Sequence, residues 1–160
     1  MADVLTVEQR SRGMAKNRGK DTSPERYLND LLQAADLRFA RHDASLHGKP
    51  DFVFRTPRVA VFVDGDFWHG WRFPLWKHRL APFWHDKIAK NRERDQRNFR
   101  RLRSGGWKVV RIWEHQVEED LLDCVRRVAE AIGEPVNWLA VSATRENLPP
   151  LKRRKRLPKP

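Results

Sequence analysis

One cysteine, one tyrosine and two methionines are all that the 160 residues hold of those types. The single thiol, Cys124, excludes an internal disulfide and a zinc site built from several cysteines. It falls within an amphipathic helical pattern, where a small buried hydrophobe is its default role. Long apolar runs are missing as well. None approaches the roughly 20 residues of a membrane span, and the first residues carry no apolar signal-peptide core. The expectation is a cytoplasmic protein without membrane contact. There is no internal repeat. Acids are the minority charge, 21 against 33 lysines and arginines.

The excess, a net charge of +12, speaks to partners rather than to the fold, and polyanions come first among them. Residues 145–160 carry seven Lys/Arg against one Glu, in the Pro-rich run Leu148-Pro-Pro-Leu-Lys-Arg-Arg-Lys-Arg-Leu-Pro-Lys-Pro160. Such a segment has little to bury, so residues 141–160 are expected to form a disordered basic tail behind a single domain over 1–140. Residues 10–20 hold five Lys/Arg and no acid, and residues 87–111 hold ten against two acids. Any one such run reads as a solvated helix face; two runs and a tail together favour nucleic acid.

The periodicities predict the order α-β-β-β-α-β-α after a short basic helix over residues 7–16. Thr22-Ser-Pro-Glu25 has the spacing of a capping box with proline in the first turn, which starts a helix over 24–35. Leu37 to His42 alternates as a strand, and 51–55 and 58–64 are further strands. Val59-Ala-Val-Phe-Val63 is apolar on both faces, as a doubly covered central strand should be. Residues 65–82 read as irregular, 83–103 as a long basic helix ending at Gly105-Gly106, 107–113 as a strand and 116–132 as a final helix. The class is α/β, a mixed sheet with helices on its faces.

Asp51, Asp64, Asp66 and His69 fall at the ends of neighbouring strands. Carboxylates held together by rigid strands need a cation, and a divalent metal is the usual one. His69 has the ordinary pKa, about 6.5, of a general base near neutral pH; a structural loop histidine is the alternative. Glu25 sits where a capping box bonds its own helix start, and residue type cannot separate that from an active-site role. Asp95 shares the apolar face of its helix with Asn91, so it needs a partner: an arginine, a backbone amide or the active site. His42, His47, His78 and His85 have no comparable sequence neighbours. Phe67 and Trp68 are adjacent rings on a loop and cannot both point inward if it is extended; nucleic-acid-binding proteins use such rings as wedges between base steps.

Six motifs in order then carry a family resemblance: Gln9-Arg-Ser-Arg-Gly-Met14, Arg18-Gly-Lys-Asp-Thr-Ser-Pro-Glu25, Gly48-Lys-Pro-Asp51, Phe67-Trp-His-Gly70, Lys87-Ile-Ala-Lys-Asn-Arg-Glu-Arg-Asp95 and Gly106-Trp-Lys-Val-Val-Arg-Ile-Trp-Glu114. Over about residues 8–132 the chain resembles the very-short-patch-repair (Vsr) endonucleases. The resemblance implies a restriction-endonuclease-like fold of the PD-(D/E)xK type. It implies magnesium-dependent nicking of one strand of duplex DNA at a T:G mismatch. Carried over, Asp51 and the backbone carbonyl of Val63 would bind magnesium, His69 would activate water and Glu25 would assist. Met14, Phe67 and Trp68 match the wedge. Mismatched double-stranded DNA is the expected partner, beside mismatch-repair proteins, and a monomer the expected form. Two other readings stay open: a nuclease of this kind with another mismatch or modified or foreign DNA as target, and a protein that binds distorted duplex without cutting.

Two departures stand out. Where the family has histidine before the glycine, and pairs it with the aspartate matching Asp95, this chain has Asp64. Two carboxylates there repel unless a cation, a proton or a lysine intervenes; direct metal binding by Asp64 is the expectation. The family's structural zinc positions read Asp66, Trp71, Phe73 and His115, two of which cannot ligate. The expectation is no structural zinc, with the rings packed in its place.

Overall fold

In the computed structural model, which describes residues 21–151, a four-stranded mixed sheet carries helices on its faces. The expected helix over 7–16 and the wedge residue Met14 lie outside the described residues. Helix α1 spans Ser23–Ala34, and strand β1 is only Ala40–Arg41. The expected strand from Leu37 shortens because the chain first leaves α1 through a left-handed turn at Asp36 (φ 61°), which drops Leu37 into the core. Strands β2 (Phe52–Phe54) and β3 (Val59–Asp64) follow, then helix α2 (Phe73–Trp76), a 3-10 turn Lys77–Arg79, helix α3 (Pro82–Ser104) and strand β4 (Lys108–Trp113). So residues 65–82 are not wholly irregular: proline at the first turn of α2 seeds a helix there.

The sheet order is β1-β2-β3-β4. The first three strands form an antiparallel meander, and β4 lies parallel to β3 with Val61 opposite Val110 and Val63 opposite Ile112. A parallel neighbour requires a long crossover, and α3 supplies it. All six residues of β3 are buried, as its two-sided apolar pattern demands. On one face Leu28, Leu31, Leu32, Val61, Ile112, Val125 and Val128 form the main core; on the other Ala60, Phe62, Phe99 and Leu102 pack β3 against α3.

The last expected helix is two. Helix α4 (Glu114–Glu119) ends at Asp120, whose side chain accepts from the Asp123 N–H (2.9 Å) and so caps helix α5 (Leu121–Ile132). Cys124 is buried there, and burial pushes its thiol up to about 12. The expected boundary at residue 140 also shifts. Helix α6 (Trp138–Asn147) runs across it, Val141 is fully buried, and Leu148 and Leu151 pack on the main core. Tyr27 donates its hydroxyl to the Pro149 carbonyl (2.6 Å). Apolar residues at 141, 148 and 151 tie down a segment whose average composition reads as tail.

Candidate active site

The site is assembled at the end of β3, where the antiparallel and parallel halves of the sheet meet. The turn before β2 places Asp51: its N–H donates to the Val61 carbonyl (2.9 Å), and its Oδ2 accepts from the Val63 N–H (2.7 Å). The carboxylate is thus locked across the β2–β3 ladder beside Val63. Burial is the main force pushing Asp51 up to about 8; like charge on Glu25 and, further down, Asp64 adds to it, against the Val63 hydrogen bond.

Glu25 makes the capping contacts and also faces the Asp51 side of the sheet. It is 2 % exposed; Oε1 accepts from the Thr22 hydroxyl (2.9 Å) and Oε2 from the Asp21 N–H (2.9 Å), so it caps α1. Oε2 also lies 3.5 Å from Arg41 Nη2 and 3.7 Å from His42 Nε2. His42 Nδ1 is 3.7 Å from Asp51 Oδ1, and Nε2 is 3.4 Å from Asp21 Oδ1. His42, Arg41 and Asp21 therefore belong to this half of the site, although nothing in their sequence surroundings marks them.

Across the end of β3, His69 Nδ1 sits 2.6 Å from Asp95 Oδ2. With the carboxylate as acceptor, Nδ1 carries the proton and Nε2 keeps its lone pair, 3.4 Å from Asp64 Oδ1. Asp95 on α3 has the active site as a partner and also an arginine: Arg94 Nη2 reaches Oδ1 (3.1 Å). Burial raises Asp95, but the His69 hydrogen bond and charge outweigh it and the carboxyl is held low. Asp64, 6 % exposed, is pushed up by burial against His69 and Arg111.

The cation that keeps Asp64 and Asp95 apart is Arg111 of β4. Its Nε donates to Asp64 Oδ2 (2.7 Å) and its Nη2 to Asp95 Oδ2 (3.1 Å). Sequence reasoning passed over this residue. The signal was a lone charge amid the apolar run Val109-Val-Arg-Ile-Trp113 of a strand paired to the central one. Among the described residues, two groups of three, Asp21–Glu25–His42 and Asp64–His69–Asp95, each bring one ligand atom per residue within 4.8 Å of the others.

The loop after β3 turns helically rather than extending: His69 N–H donates to the Gly65 carbonyl and Gly70 N–H to that of Phe67. Phe67 and Trp68 therefore lie together, 4.9 Å apart between ring centres, and both meet Trp84. Asn91 Nδ2 holds the Trp68 carbonyl (3.1 Å). Gly70 is needed after His69, since φ is 70° and a Cβ would come within 2.6 Å of Arg92 Cδ. Of the four positions that match the family's zinc ligands, three meet: Asp66 Oδ1 lies 2.7 Å from His115 Nδ1, and Trp71 packs on His115 and Trp113. Phe73 turns away to Trp76, His85 and Ile88.

Residues 2–74 match the family of the DNA mismatch endonuclease Vsr. The type II nicking enzyme V.NmeDIP of Neisseria meningitidis serogroup C is 40% identical over 136 residues, 81% of this chain and 90% of that one. The chain belongs to the Vsr family. The DNA mismatch endonuclease Vsr of Escherichia coli (strain K12) is 42% identical over 71% of this chain and 74% of its own. The type II nicking enzyme V.HpaIIP of Haemophilus parainfluenzae is 39% identical over 72% and 84%. A solved homing endonuclease catalytic domain aligns with a TM-score of 0.47 at 18% identity, covering 76% of this chain and 98% of that one. As a Vsr-family member the chain is a DNA endonuclease. Its mixed sheet with helices on both faces agrees with the α/β class expected from the sequence. Among the described residues no helix is long and apolar enough to cross a membrane.

Proposed function

We propose that this DNA nicking endonuclease cuts one strand of duplex DNA at a T:G mismatch by magnesium-dependent hydrolysis. The observation that carries the reading is the setting of Asp51: a partly buried carboxylate fixed by the Val63 N–H and crowded by Glu25 and Asp64, its proton affinity raised first by burial and then by those acids. Hard oxygen donors in that state fit magnesium. Asp51 and the Val63 carbonyl would hold it, with Glu25 alongside. A divalent ion held by these residues would supply charge neutralisation for the phosphoryl oxygens. His69 takes the proton from the attacking water at Nε2, because Asp95 accepts from Nδ1–H and steadies the imidazolium that results. Phe67 and Trp68, half-buried beside His69 and set against Trp84 of α3, supply the wedge at the mismatched step, at a cost of roughly a few kcal/mol of unstacking. Mismatch-repair proteins would act beside it, and a monomer suffices, since every proposed group comes from one chain.

The test is a panel of end-labelled duplexes, matched, mismatched and methylated, incubated with magnesium and with wild type or Asp51→Ala. Nicking confined to T:G duplexes, abolished by Asp51→Ala, is the expected result. Cutting of matched or modified duplexes would move the target; binding without cutting by wild type would remove the activity.

A further inference from the structure

The Asp64 carboxylate is committed within the protein. Its Oδ2 takes the Arg111 Nε at 2.7 Å, and its Oδ1 faces His69 Nε2 at 3.4 Å. The same guanidinium reaches on to Asp95 Oδ2, the atom that also bonds His69 Nδ1. One cation thus touches both acids that flank the histidine. Arg111 is itself held. Its backbone stands opposite Phe62 in the β3–β4 ladder, its carbonyl accepts from Arg127 Nη2 (2.7 Å), and its guanidinium packs over the rings of Trp113 (4.2 Å) and Phe99 (5.0 Å). A planar, always-charged fork fixed between two rings is suited to bridging two carboxylates, and lysine is not.

Resting on the reading of His69 as the base, we propose that Arg111 is a positioning residue that clamps Asp64 and Asp95 around His69, and that Asp64 belongs to this clamp rather than to the metal. The Asp-for-His change and Arg111 then form one unit: the acid supplies the negative charge and the arginine returns the neutrality. This reverses the expectation that Asp64 binds the ion directly. Arginines elsewhere in this basic chain suit DNA phosphates, but Arg111 is partly buried and spends its Nε and Nη2 donors on Asp64 and Asp95.

The experiment compares Arg111→Gln, Arg111→Lys, Asp64→Asn and the double variant Asp64→Asn/Arg111→Gln with wild type. Readouts are kcat, KM for the nicked duplex, the magnesium concentration at half-maximal rate, and the downfield imidazole N–H resonance of His69. Arg111→Gln should lower kcat by about 10- to 100-fold, the usual range for a group that orients a reacting one, with KM and the magnesium requirement within about twofold. Lysine should restore only part of that loss. The double variant should be no worse than Arg111→Gln alone, because the two residues act as a unit. The His69 resonance should be sharp in wild type and broadened or shifted in Arg111→Gln.

A magnesium requirement raised about tenfold or more by Asp64→Asn would make Asp64 a ligand and overturn the proposal. So would an Arg111→Gln defect confined to KM, which marks a phosphate contact, or losses that add in the double variant. If Arg111→Gln fails to fold, Asp64→Asn with the same readouts decides. If wild type cuts no duplex, the reading of the activity fails, while the His69 resonance still tests the clamp: an unchanged signal in Arg111→Gln overturns it.

Discussion

Two clusters of ionisable groups, one around Asp51 and one around Asp64, meet the same electrostatic problem in opposite ways. Both are acids at strand ends, Asp64 buried and Asp51 partly so. Around Asp64 the protein supplies its own cations: Arg111, Arg94 and the His69 ring touch Asp64 or Asp95 at 2.6 to 3.4 Å. Around Asp51 the acids Glu25 and Asp64 crowd, Arg41 spends itself on Asp21 and Glu25, and the His42 ring stays at 3.7 Å. The difference teaches where an outside cation belongs. On the proposed reading, the cluster that holds its own cations positions a base, and the cluster left short of positive charge suits a metal ion.

The contrast can be broken most directly at Asp51. Asp51→Asn should cost cleavage about 1,000-fold or more, roughly 4 kcal/mol at about 1.36 kcal/mol per decade. Loss of less than about tenfold, measured by initial rates of nicking, would mean that the charge-poor cluster is not where the chemistry draws its cation. His69→Ala, in the self-neutralised cluster, should cost about 100- to 10,000-fold in kcat, the range of a general base. Because the base and not the metal is lost, the magnesium requirement should stay where it is.

The metal-free protein gives a thermodynamic version of the same contrast. Asp51 keeps its proton up to about 8 in the fold, against the ordinary 3.8 when unfolded. Between those values the folded state binds the extra proton. Its contribution to stability is full below pH 3.8 and is lost as pH rises through about 8. Thermal unfolding in EDTA should show that decline in wild type and a flatter profile in Asp51→Asn, and added magnesium should restore more stability at high pH than at low. Parallel profiles for the two proteins would dissolve the distinction between the clusters.

The smallest effect is expected where neither cluster is touched. Removing residues 152–160 deletes six Lys/Arg while sparing helix α6 and Leu151. Duplex binding should weaken and become less salt-dependent, by a slope of about 0.9 for each phosphate that the tail no longer neutralises, with target choice unchanged. Truncating from residue 145 is a different experiment, because it also strips Leu148 and Leu151 from the core.

Much of the fold is legible in the chain. The capping box at Thr22, the two-sided apolar run of β3 and the glycine pair after α3 each act through near neighbours, so their elements appear close to where they are expected. One place that differs is also local, Asp120 capping a new helix start three residues on; the other is where a distant contact wins, as Val141 draws the supposed tail onto α1 and α5. The site divides in the same manner. Asp51, His69, Glu25 and Asp95 carry motif signals and come together, whereas His42 and Arg111 reach the site only through strand pairing.

Residue order alone thus pointed to the class, the family and the acids and histidine proposed to carry the chemistry, because motif spacing and periodicity are local properties. Which acid lacks a cation and which has one was settled by the sheet. Pairing β4 parallel to β3 brings Arg111 to Asp64, 47 residues away in the chain, and packing α3 beneath them brings Asp95. Coulomb interactions depend on distance in space and on burial, and neither is written in the order of residues.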